Sequence, residues 1–375
     1  MTGLKAVALV DGEHYPPVVR EALDELPYEF IGAILVGGTE KLRDTVPDFG
    51  VPLVDSFEGA EVVVDLSGEP VLGPAQRFAW ASRVLAAGLP YVGADFRFDP
   101  PALAPFPLPS IAVYGTGKRV GKTAVTGQLA RLLARDQRVV VVAMGRGGPP
   151  EPELVETPPG VDELLARSRA GRHAASDHLE TAALCGVPTI GCRRAGGGLA
   201  GAVFSSNVAD GAALAASLEP DVVVFDGSGA SLPPVATDRR VFVVGRGDDE
   251  SAYFNPYRRA LADVVVRMGV DAELELRPLG PLEGRIAVFT AGATDMRHLE
   301  GDVVHVSASL ADRAALAHEL DGLDADTYLV ELKAAAIDVV AEHASANGRR
   351  VVLGRNELVG DGIDELLLEA APVAV

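Results

Sequence analysis

Short runs of β-branched apolar residues recur along this chain and alternate with longer amphipathic stretches. This alternation is typical of βαβ units, in which helices cover both faces of a parallel sheet. The sequence therefore predicts an α/β fold. In the first hundred residues, the predicted helices are 16–25 and 74–88, and the predicted strands are 6–10, 30–36, 61–66 and 90–93.

The segment IAVYGTGKRVGKTAVTGQLARLL, residues 111–133, contains a strand, a glycine-rich turn and an amphipathic helix in that order. Its Gly-Lys-Thr triplet is typical of a P-loop, in which backbone N–H groups surround phosphate oxygens and the lysine reaches the β- and γ-phosphates. The strict pattern has glycine where Thr116 stands, and a turn that binds no nucleotide is the alternative interpretation. The predicted ATP-binding residues are Gly115, Thr116, Gly117, Lys118, Arg119, Val120, Gly121, Lys122 and Thr123.

Lysine is rare in this chain: only five of the 33 basic residues are Lys, at positions 5, 41, 118, 122 and 333. A compact ammonium on a flexible stem suits a phosphate chain in a way that a planar guanidinium does not. The presence of Lys122 therefore supports the P-loop interpretation. Lys118 either covers the nucleotide phosphates, reaches the partner subunit of an expected homodimer, or is an ordinary solvated lysine.

A candidate magnesium ligand follows another buried strand. In PDVVVFDGSG, Asp226 comes after four apolar residues. An acid at the end of a buried strand can hold a Mg²⁺ ion whose other ligand is the P-loop hydroxyl, here that of Thr123. The alternative is an aspartate that only caps a turn.

Two arginine-containing loops are predicted at strand ends of the same domain. Gly145-Arg146-Gly147-Gly148 follows one strand, and Arg193-Arg194-Ala195-Gly196 follows the strand PTIGC. Ligands of open α/β sheets bind at the carboxyl ends of strands, and guanidinium groups offer paired donors to a phosphate. We therefore predict that Arg146, Arg193 and Arg194 bind substrate phosphates, with solvated surface arginines as the alternative.

Composition excludes several classes of protein. The 33 basic against 53 acidic residues give a net charge of -20, which opposes binding to nucleic acid or to an anionic membrane. The two cysteines, Cys185 and Cys192, suggest neither a disulfide framework nor a zinc site. The N-terminal apolar run ends at Asp11, too early for a signal peptide, so we expect a cytoplasmic protein.

Two segments rich in proline or glycine, 99–110 and 277–285, mark the predicted domain boundaries. We predict a Rossmann-like α/β domain at 1–105, a P-loop domain with a mostly parallel sheet at 106–280, and a C-terminal α/β region at 281–375. The predicted strands of the last two regions are 110–115, 138–145, 188–192, 221–227, 240–245, 286–292, 302–307, 327–332 and 349–354. A helix is expected at 334–348, and a polar loop at 354–360.

The motifs resemble those of one family across nearly the whole chain. The P-loop segment, VVVAMGRGGPPEPELVE, SDHLETAALCGVPTIGCRRAGGGLAG, PDVVVFDGSGASLPPV, ELKAAAIDVV and the N-terminal ALVDGEHYPPVV are similar to cyclic 2,3-diphosphoglycerate synthetase, a P-loop family related to dethiobiotin synthetase. This resemblance implies an enzyme that uses ATP and Mg²⁺ to close 2,3-diphosphoglycerate into a cyclic pyrophosphate, releasing ADP and phosphate.

In such a reaction, positioning and charge neutralisation replace a protein nucleophile. We assign catalytic roles to Lys122, Arg146, Arg193 and Arg194. The segment SDHLE offers either His178 and Glu180 as contacts to the reacting groups or only a helix that starts at Ser176.

Other residues and functions stay open. Lys333 either reaches the substrate or pairs with Glu331 or Asp338, and Asp11, Glu13 and His14 form either a turn or a ligand contact. The alternative functions are another P-loop ligase or kinase acting on a phosphorylated metabolite, and a nucleotide-driven switch.

Overall fold

The computed structural model describes residues 3–42, 46–175, 177–292 and 296–372. The chain divides into two compact units. The first contains Met1–Ala102 together with Asp249–Leu261, and the second contains Leu103–Asp248 together with Ala262–Val375. The sequence did not suggest that 249–261 belongs with the N-terminal unit. The three domain boundaries that we predicted stay predictions.

The first unit contains a mostly parallel sheet with strand order β2-β1-β3-β4-β5, in which only the last pairing among the described strands is antiparallel. The helices at Pro16–Glu25 and Pro74–Ala86 both begin with proline, which is pre-organised for the first helical turn. The elements are β1 (Leu4–Val10), α1 (Pro16–Glu25), β2 (Tyr28–Leu35), β3 (Val62–Asp65), α2 (Pro74–Ala86), β4 (Tyr91–Val92) and β5 (Arg97–Phe98). The α/β class that we predicted for this region is confirmed.

The second unit begins with the P-loop sheet, whose strand order is β10-β9-β7-β11-β6-β12-β13, with β8 paired antiparallel to β9. Strands β6, β7 and β11 are buried along their whole length, as central parallel strands must be. The elements are β6 (Ser110–Gly115), α3 (Lys122–Leu133), β7 (Val139–Gly145), β8 (Glu153–Val155), α4 (Val161–Arg169), α5 (Asp177–Cys185), β9 (Thr189–Ala195), β10 (Ser205–Ser206), α6 (Val208–Ser217), β11 (Val222–Asp226), β12 (Arg239–Val244), α7 (Asn255–Leu261) and β13 (Val264–Arg267). Of these, α7 lies in the segment that belongs to the first unit.

The C-terminal residues form a separate sheet with order β14-β18-β17-β15-β16. It belongs to the same compact unit as the P-loop sheet. The elements are β14 (Glu273–Pro278), β15 (Arg285–Phe289), β16 (Asp302–Ser307), α8 (Arg313–Leu320), β17 (Thr327–Glu331), a π-helix (Ala336–Ala341), α9 (Glu342–Ala346), β18 (Arg350–Val359) and α10 (Ile363–Leu368).

The α/β class is confirmed, but three local predictions need correction. Strand β9 continues to Ala195, so the arginines that we placed in a loop lie within a strand. The helix predicted at 334–348 begins as a π-helix, a form often found at functional sites. Strand β18 runs to Val359, because its second half pairs with β14 where we expected a polar loop.

The chain returns to the P-loop domain at its C-terminal end. Ile363 and Leu367 of α10 belong to the same buried core cluster as Leu129 of α3. The Gln128 side chain of α3 donates a hydrogen bond to Asp364 Oδ1 at 2.6 Å. The helix that follows the P-loop is therefore packed on one side by the last helix of the chain.

No helix among the described residues is long and apolar enough to cross a membrane. Cys185 and Cys192 are both buried free thiols.

We expect Leu367→Ala to lower the free energy of unfolding by about 2–5 kcal/mol, because it opens a cavity in the core beside α3. Leu367 is fully buried, whereas its neighbour Leu368 is 41% exposed. Leu368→Ala is therefore the matched control and should cost well under half as much. Urea titrations of both variants measure the difference, and equal costs would show that α10 does not belong to this core.

Candidate active site

The predicted P-loop connects β6 to α3. Strand β6 ends at Gly115 and the helix begins at Lys122. Gly121 immediately before the helix has φ +95°, a conformation that side chains rarely adopt, and Arg119 has φ +64°. This tight turn presents the first backbone N–H groups of α3, which is the arrangement that binds phosphate oxygens at a helix N-terminus.

Thr116, which stands where the strict pattern has glycine, connects the P-loop to the next strand of the sheet. Its backbone N–H donates to the Val243 carbonyl at 3.0 Å, and its hydroxyl accepts from the Gly245 N–H at 3.2 Å. The same hydroxyl contacts Asp248. Thr116 lacks the conformational freedom of the glycine in the strict pattern, but it forms hydrogen bonds with Val243 at the end of β12 and with the loop that follows. The sequence did not predict these contacts.

The Lys122 side chain is buried and folds back onto the P-loop. Its Nζ donates a hydrogen bond to the Gly117 carbonyl at 2.6 Å. Burial lowers the pKa of Lys122 to about 8, although the Asp226 carboxylate opposes this shift. At neutral pH the ammonium is therefore still largely charged, as a phosphate ligand must be.

Asp226 is the last residue of β11, which pairs with β6 directly before the P-loop. Its Oδ1 is buried and has no hydrogen-bond partner in the described part of the chain. Burial raises the pKa of this carboxyl to about 7, and the Lys122 ammonium opposes the rise. An orphaned carboxylate oxygen at this depth fits a cation ligand, because a buried polar atom without a partner is otherwise costly.

Arg146 and Arg194 meet at a cavity of about 510 Å³. A Cβ added to Gly229 would lie 3.0 Å from Nη2 of Arg146 and 3.4 Å from Nη2 of Arg194, so both guanidinium groups approach the same backbone turn. Gly229 also has φ +63°, which excludes most side chains there. The cavity is lined by Arg146, Arg194, Ala195, Gly196, Gly197, Gly198, Ala230 and Ser231.

The two guanidinium groups are held differently. Arg194 is buried, and its Nη1 and Nη2 donate to the carbonyls of Gly196 at 2.7 Å and Ser228 at 2.9 Å. Arg146 is exposed, and within the described residues its side chain makes no hydrogen bond or ion pair. Arg194 is thus a fixed donor, whereas Arg146 is available to a ligand.

Arg193 does not join this pair. Successive side chains of a strand point to opposite faces, and in β9 Arg193 is exposed while Arg194 is buried. Arg193 is absent from the lining of the 510 Å³ cavity, and its backbone N–H donates to Asn207 Oδ1 at 2.6 Å. The structure therefore brings together Arg146 and Arg194, but not Arg193, the third arginine that we predicted to bind substrate phosphates.

The segment SDHLE forms the start of α5, as its helical interpretation predicts, although Ser176 lies outside the described residues. His178 packs on β9, where a Cβ at Gly191 would lie 2.4 Å from its ring, and burial lowers the pKa of His178. Glu180 is buried and contacts the Lys333 ammonium. The sequence left these roles open, and it did not name Glu180 as the partner of Lys333.

Sequence reasoning missed Asp177 as a site residue. A Cβ at Gly145, the last residue of β7, would lie 2.5 Å from Asp177 Oδ2, so the carboxylate covers this strand end. Its negative charge helps to raise the pKa of both Glu180 and Asp226. A first-turn acid of a helix is common, so nothing in the sequence distinguished this one.

In the first unit, Asp11 forms a turn. Its Oδ1 accepts from the N–H groups of Glu13 at 2.9 Å and His14 at 3.2 Å, and the His14 ring also contacts it. Its Oδ2 accepts from the Gly68 N–H at 2.6 Å. The turn interpretation accounts for these three residues.

We expect Lys122→Ala to weaken ADP binding about 10- to 100-fold, because it removes a charge-assisted bond worth about 1.5–3 kcal/mol. Isothermal titration calorimetry measures the affinity, and circular dichroism checks the fold. Lys118→Ala, an exposed lysine of the same turn, is the matched comparison and should lose less. Unchanged ADP affinity in a folded Lys122→Ala protein would contradict the P-loop assignment.

Comparisons with known proteins follow the same three-part division. Three family models match this chain, and each is described as part of cyclic 2,3-diphosphoglycerate synthetase. The N-terminal domain matches residues 5–99, the P-loop domain residues 110–277 and the C-terminal domain residues 279–357. A solved structure of LpxK from Aquifex aeolicus in complex with ATP covers 79% of this chain and 94% of its own at 15% identity and a TM-score of 0.46, too weak a likeness to inform function.

Relatives described as cyclic 2,3-diphosphoglycerate synthetase match nearly the full length. The protein of Rubrobacter xylanophilus is 44% identical, covering 99% of this chain and 98% of the relative. Those of Pyrococcus abyssi and Thermococcus gammatolerans are 39% and 42% identical, and each covers 94% of this chain. The same alignments cover 94% of the Pyrococcus abyssi protein and 93% of the Thermococcus gammatolerans protein. With its nucleotide-binding P-loop domain, the chain belongs to the cyclic 2,3-diphosphoglycerate synthetase family, as its motifs indicated.

Proposed function

We propose that this synthetase uses ATP and Mg²⁺ to close 2,3-diphosphoglycerate into its cyclic pyrophosphate, with ADP and inorganic phosphate as the other products. One observation supports this most directly: the P-loop and the Arg146–Arg194 cavity lie at the same edge of one sheet. Strands β9, β7, β11 and β6 are neighbours and parallel, so their carboxyl ends meet there. A donor phosphate and an acceptor phosphate can thus be held side by side.

The reaction needs no protein nucleophile. An oxygen of one substrate phosphate takes the γ-phosphoryl group of ATP, and ADP leaves. An oxygen of the second substrate phosphate then attacks the inner phosphorus of that new anhydride, and the bond to the outer phosphate breaks. Inorganic phosphate departs, and the two substrate phosphates remain joined in a ring. The protein contributes positioning and positive charge to both displacements.

Lys122 and the N-terminus of α3 bind the β- and γ-phosphates in this scheme. The residues present also fit magnesium, because Asp226 offers a buried carboxylate oxygen without a partner and Thr123 offers a hydroxyl at the second position of α3. When bound, Mg²⁺ neutralises charge on the β- and γ-phosphate oxygens. Thr123 and Asp226 are the residues that we propose to hold it.

Arg146 and Arg194 bind the acceptor phosphates. Since the whole chain carries a net charge of -20, a substrate with two phosphates and a carboxylate needs a local source of positive charge. Arg194 offers a fixed guanidinium beside the glycine-rich wall, and the exposed Arg146 contacts the ligand. The face of β9 separates Arg193 from this cavity, so we assign it no contact there.

Phosphorus NMR tests the function directly. The protein is incubated with ATP, Mg²⁺ and 2,3-diphosphoglycerate, and the spectrum is followed over time. The expected result is a pair of coupled cyclic pyrophosphate resonances that grow together with ADP and inorganic phosphate. ATP hydrolysis without a cyclic product would contradict the proposal and favour a nucleotide-driven switch, whereas a linear phosphorylated product would favour a kinase.

Arg146→Ala and Arg194→Ala should raise the KM for 2,3-diphosphoglycerate or lower kcat by about 10- to 100-fold, since charge-assisted bonds in a shielded site are worth about 1.5–3 kcal/mol. The KM for ATP should change little. Arg193→Ala, one residue away on the opposite face, is the matched variant and should keep near-normal kinetics. An equal loss at Arg193 would show that all three arginines bind the substrate, as the sequence predicts.

Two further expectations belong to this proposal. We propose that the chain forms a homodimer, and sedimentation velocity of the purified protein tests this. We also propose that it acts in the cytoplasm.

A further inference from the structure

Lys333 is held by a constrained segment of the C-terminal sheet. It follows β17 by two residues, and its N–H donates to the Glu331 carbonyl at 2.8 Å. The next residue, Ala334, has φ +35°, a backbone conformation that is strained for any residue other than glycine. The π-helix begins two residues later. Strain and π-helical turns are concentrated at functional sites. The backbone therefore fixes where this lysine points.

The Lys333 ammonium contacts the Glu180 carboxylate of α5. The Glu180 side chain is 5% exposed, but that of Lys333 keeps 31% of its surface exposed. Glu331 is engaged elsewhere, because its oxygens accept from the Ala291 N–H and from Asn356 Nδ2, both at 2.7 Å. Glu180 thus anchors a lysine that remains accessible to a ligand.

Lys333 lies at the edge of the sheet that carries the P-loop, because its partner Glu180 is in the first turn of α5 and Asp177 of the same turn lies against Gly145 at the end of β7. Its positive charge lowers the pKa of Lys122 by more than Arg146 does, and it also helps to lower that of Asp226. The charges that shift the pKa of Arg194, in contrast, are those of Arg146 and Asp177. The Lys333 charge therefore acts on both Lys122 and Asp226.

A purely structural role explains this ion pair poorly. Burying a carboxylate costs free energy that a single ion pair often fails to recover. Burial indeed raises the pKa of Glu180 to about 7 even though Lys333 opposes that shift. The exposed pair of Arg169 in α4 and Glu342 in α9 already joins the same two parts of the unit, with Nη2 and Oε1 3.1 Å apart. The Glu180–Lys333 pair calls for another function.

We propose that Lys333 is a second phosphate-binding lysine of the P-loop site, which contacts the γ-phosphoryl group of ATP and is positioned by Glu180. The C-terminal sheet would then supply in cis a cation that stabilises the charge developing on the transferred group. The inference deepens the proposed function and rests on it only for the identity of ATP as the donor.

Calorimetric affinities for ADP and for the β,γ-imido analogue of ATP, measured with Mg²⁺, test this contact without any acceptor. Lys333→Ala should weaken binding of the analogue about tenfold or more, since a charge-assisted bond is lost, while ADP affinity stays within about twofold. Lys333→Arg should recover part of the preference for the analogue. Arg169→Ala breaks the other ion pair between these parts and should leave both affinities unchanged.

The role of Glu180 is tested separately. Glu180→Gln keeps the lysine but removes its anchor, so kcat of the synthetase reaction should fall with little change in the KM for ATP. Glu180→Asp, which retains the charge, should recover part of that loss. If Glu180→Gln retains wild-type kcat and the wild-type ratio of the two affinities, Glu180 does not position Lys333.

A double variant is the control for misfolding of the single variants. Lys333→Met combined with Glu180→Gln removes both charges, so no uncompensated buried carboxylate remains. It should fold and still lose the preference for the analogue over ADP. A wild-type preference in this variant or in Lys333→Ala would overturn the inference, even if cyclic product forms. If the wild-type protein makes no cyclic product but the preference depends on Lys333, only the proposed reaction is wrong.

Discussion

Parallel pairing of four neighbouring strands is the constraint on which the site depends. Because β9, β7, β11 and β6 all run in the same direction, the residues that end them gather at one edge of the sheet. The P-loop, the arginine cavity and Asp226 are brought together by this register although they are far apart in sequence. An antiparallel strand in the middle of the series would send one of them to the opposite edge.

The site concentrates charge in a molecule that is acidic overall. Lys122, Asp226 and Glu180 are all buried, and burial moves the pKa of each toward neutrality, to about 8, 7 and 7. These groups interact with one another in a medium of low dielectric constant, so each charge strongly affects its neighbours. Polyanionic ligands and a metal ion that enter such a site would offset the cost of burying these charges, because they add strong interactions of opposite charge.

The sequence was sufficient wherever the signal is local. Buried strands, the P-loop turn and the acid that ends β11 depend on residues within about ten positions of one another, and the structure contains all of these elements. It was insufficient wherever a partner lies far away. Nothing near Lys333 indicates that Glu180, 153 residues earlier, is its partner. The end of β9 was also misjudged, because glycine and arginine do not reveal that the ladder continues to Ala195 and so separates Arg193 from Arg194.

The position of the C-terminal sheet indicates what a third sheet contributes to an enzyme of this kind. A P-loop domain alone holds the donor nucleotide but leaves the γ-phosphoryl group open to water on one side. Here α10 packs against the P-loop helix, and Lys333 after β17 contacts Glu180 of α5. Since hydrolysis competes with transfer to a second phosphate, covering that side with protein and a fixed cation favours the intended acceptor.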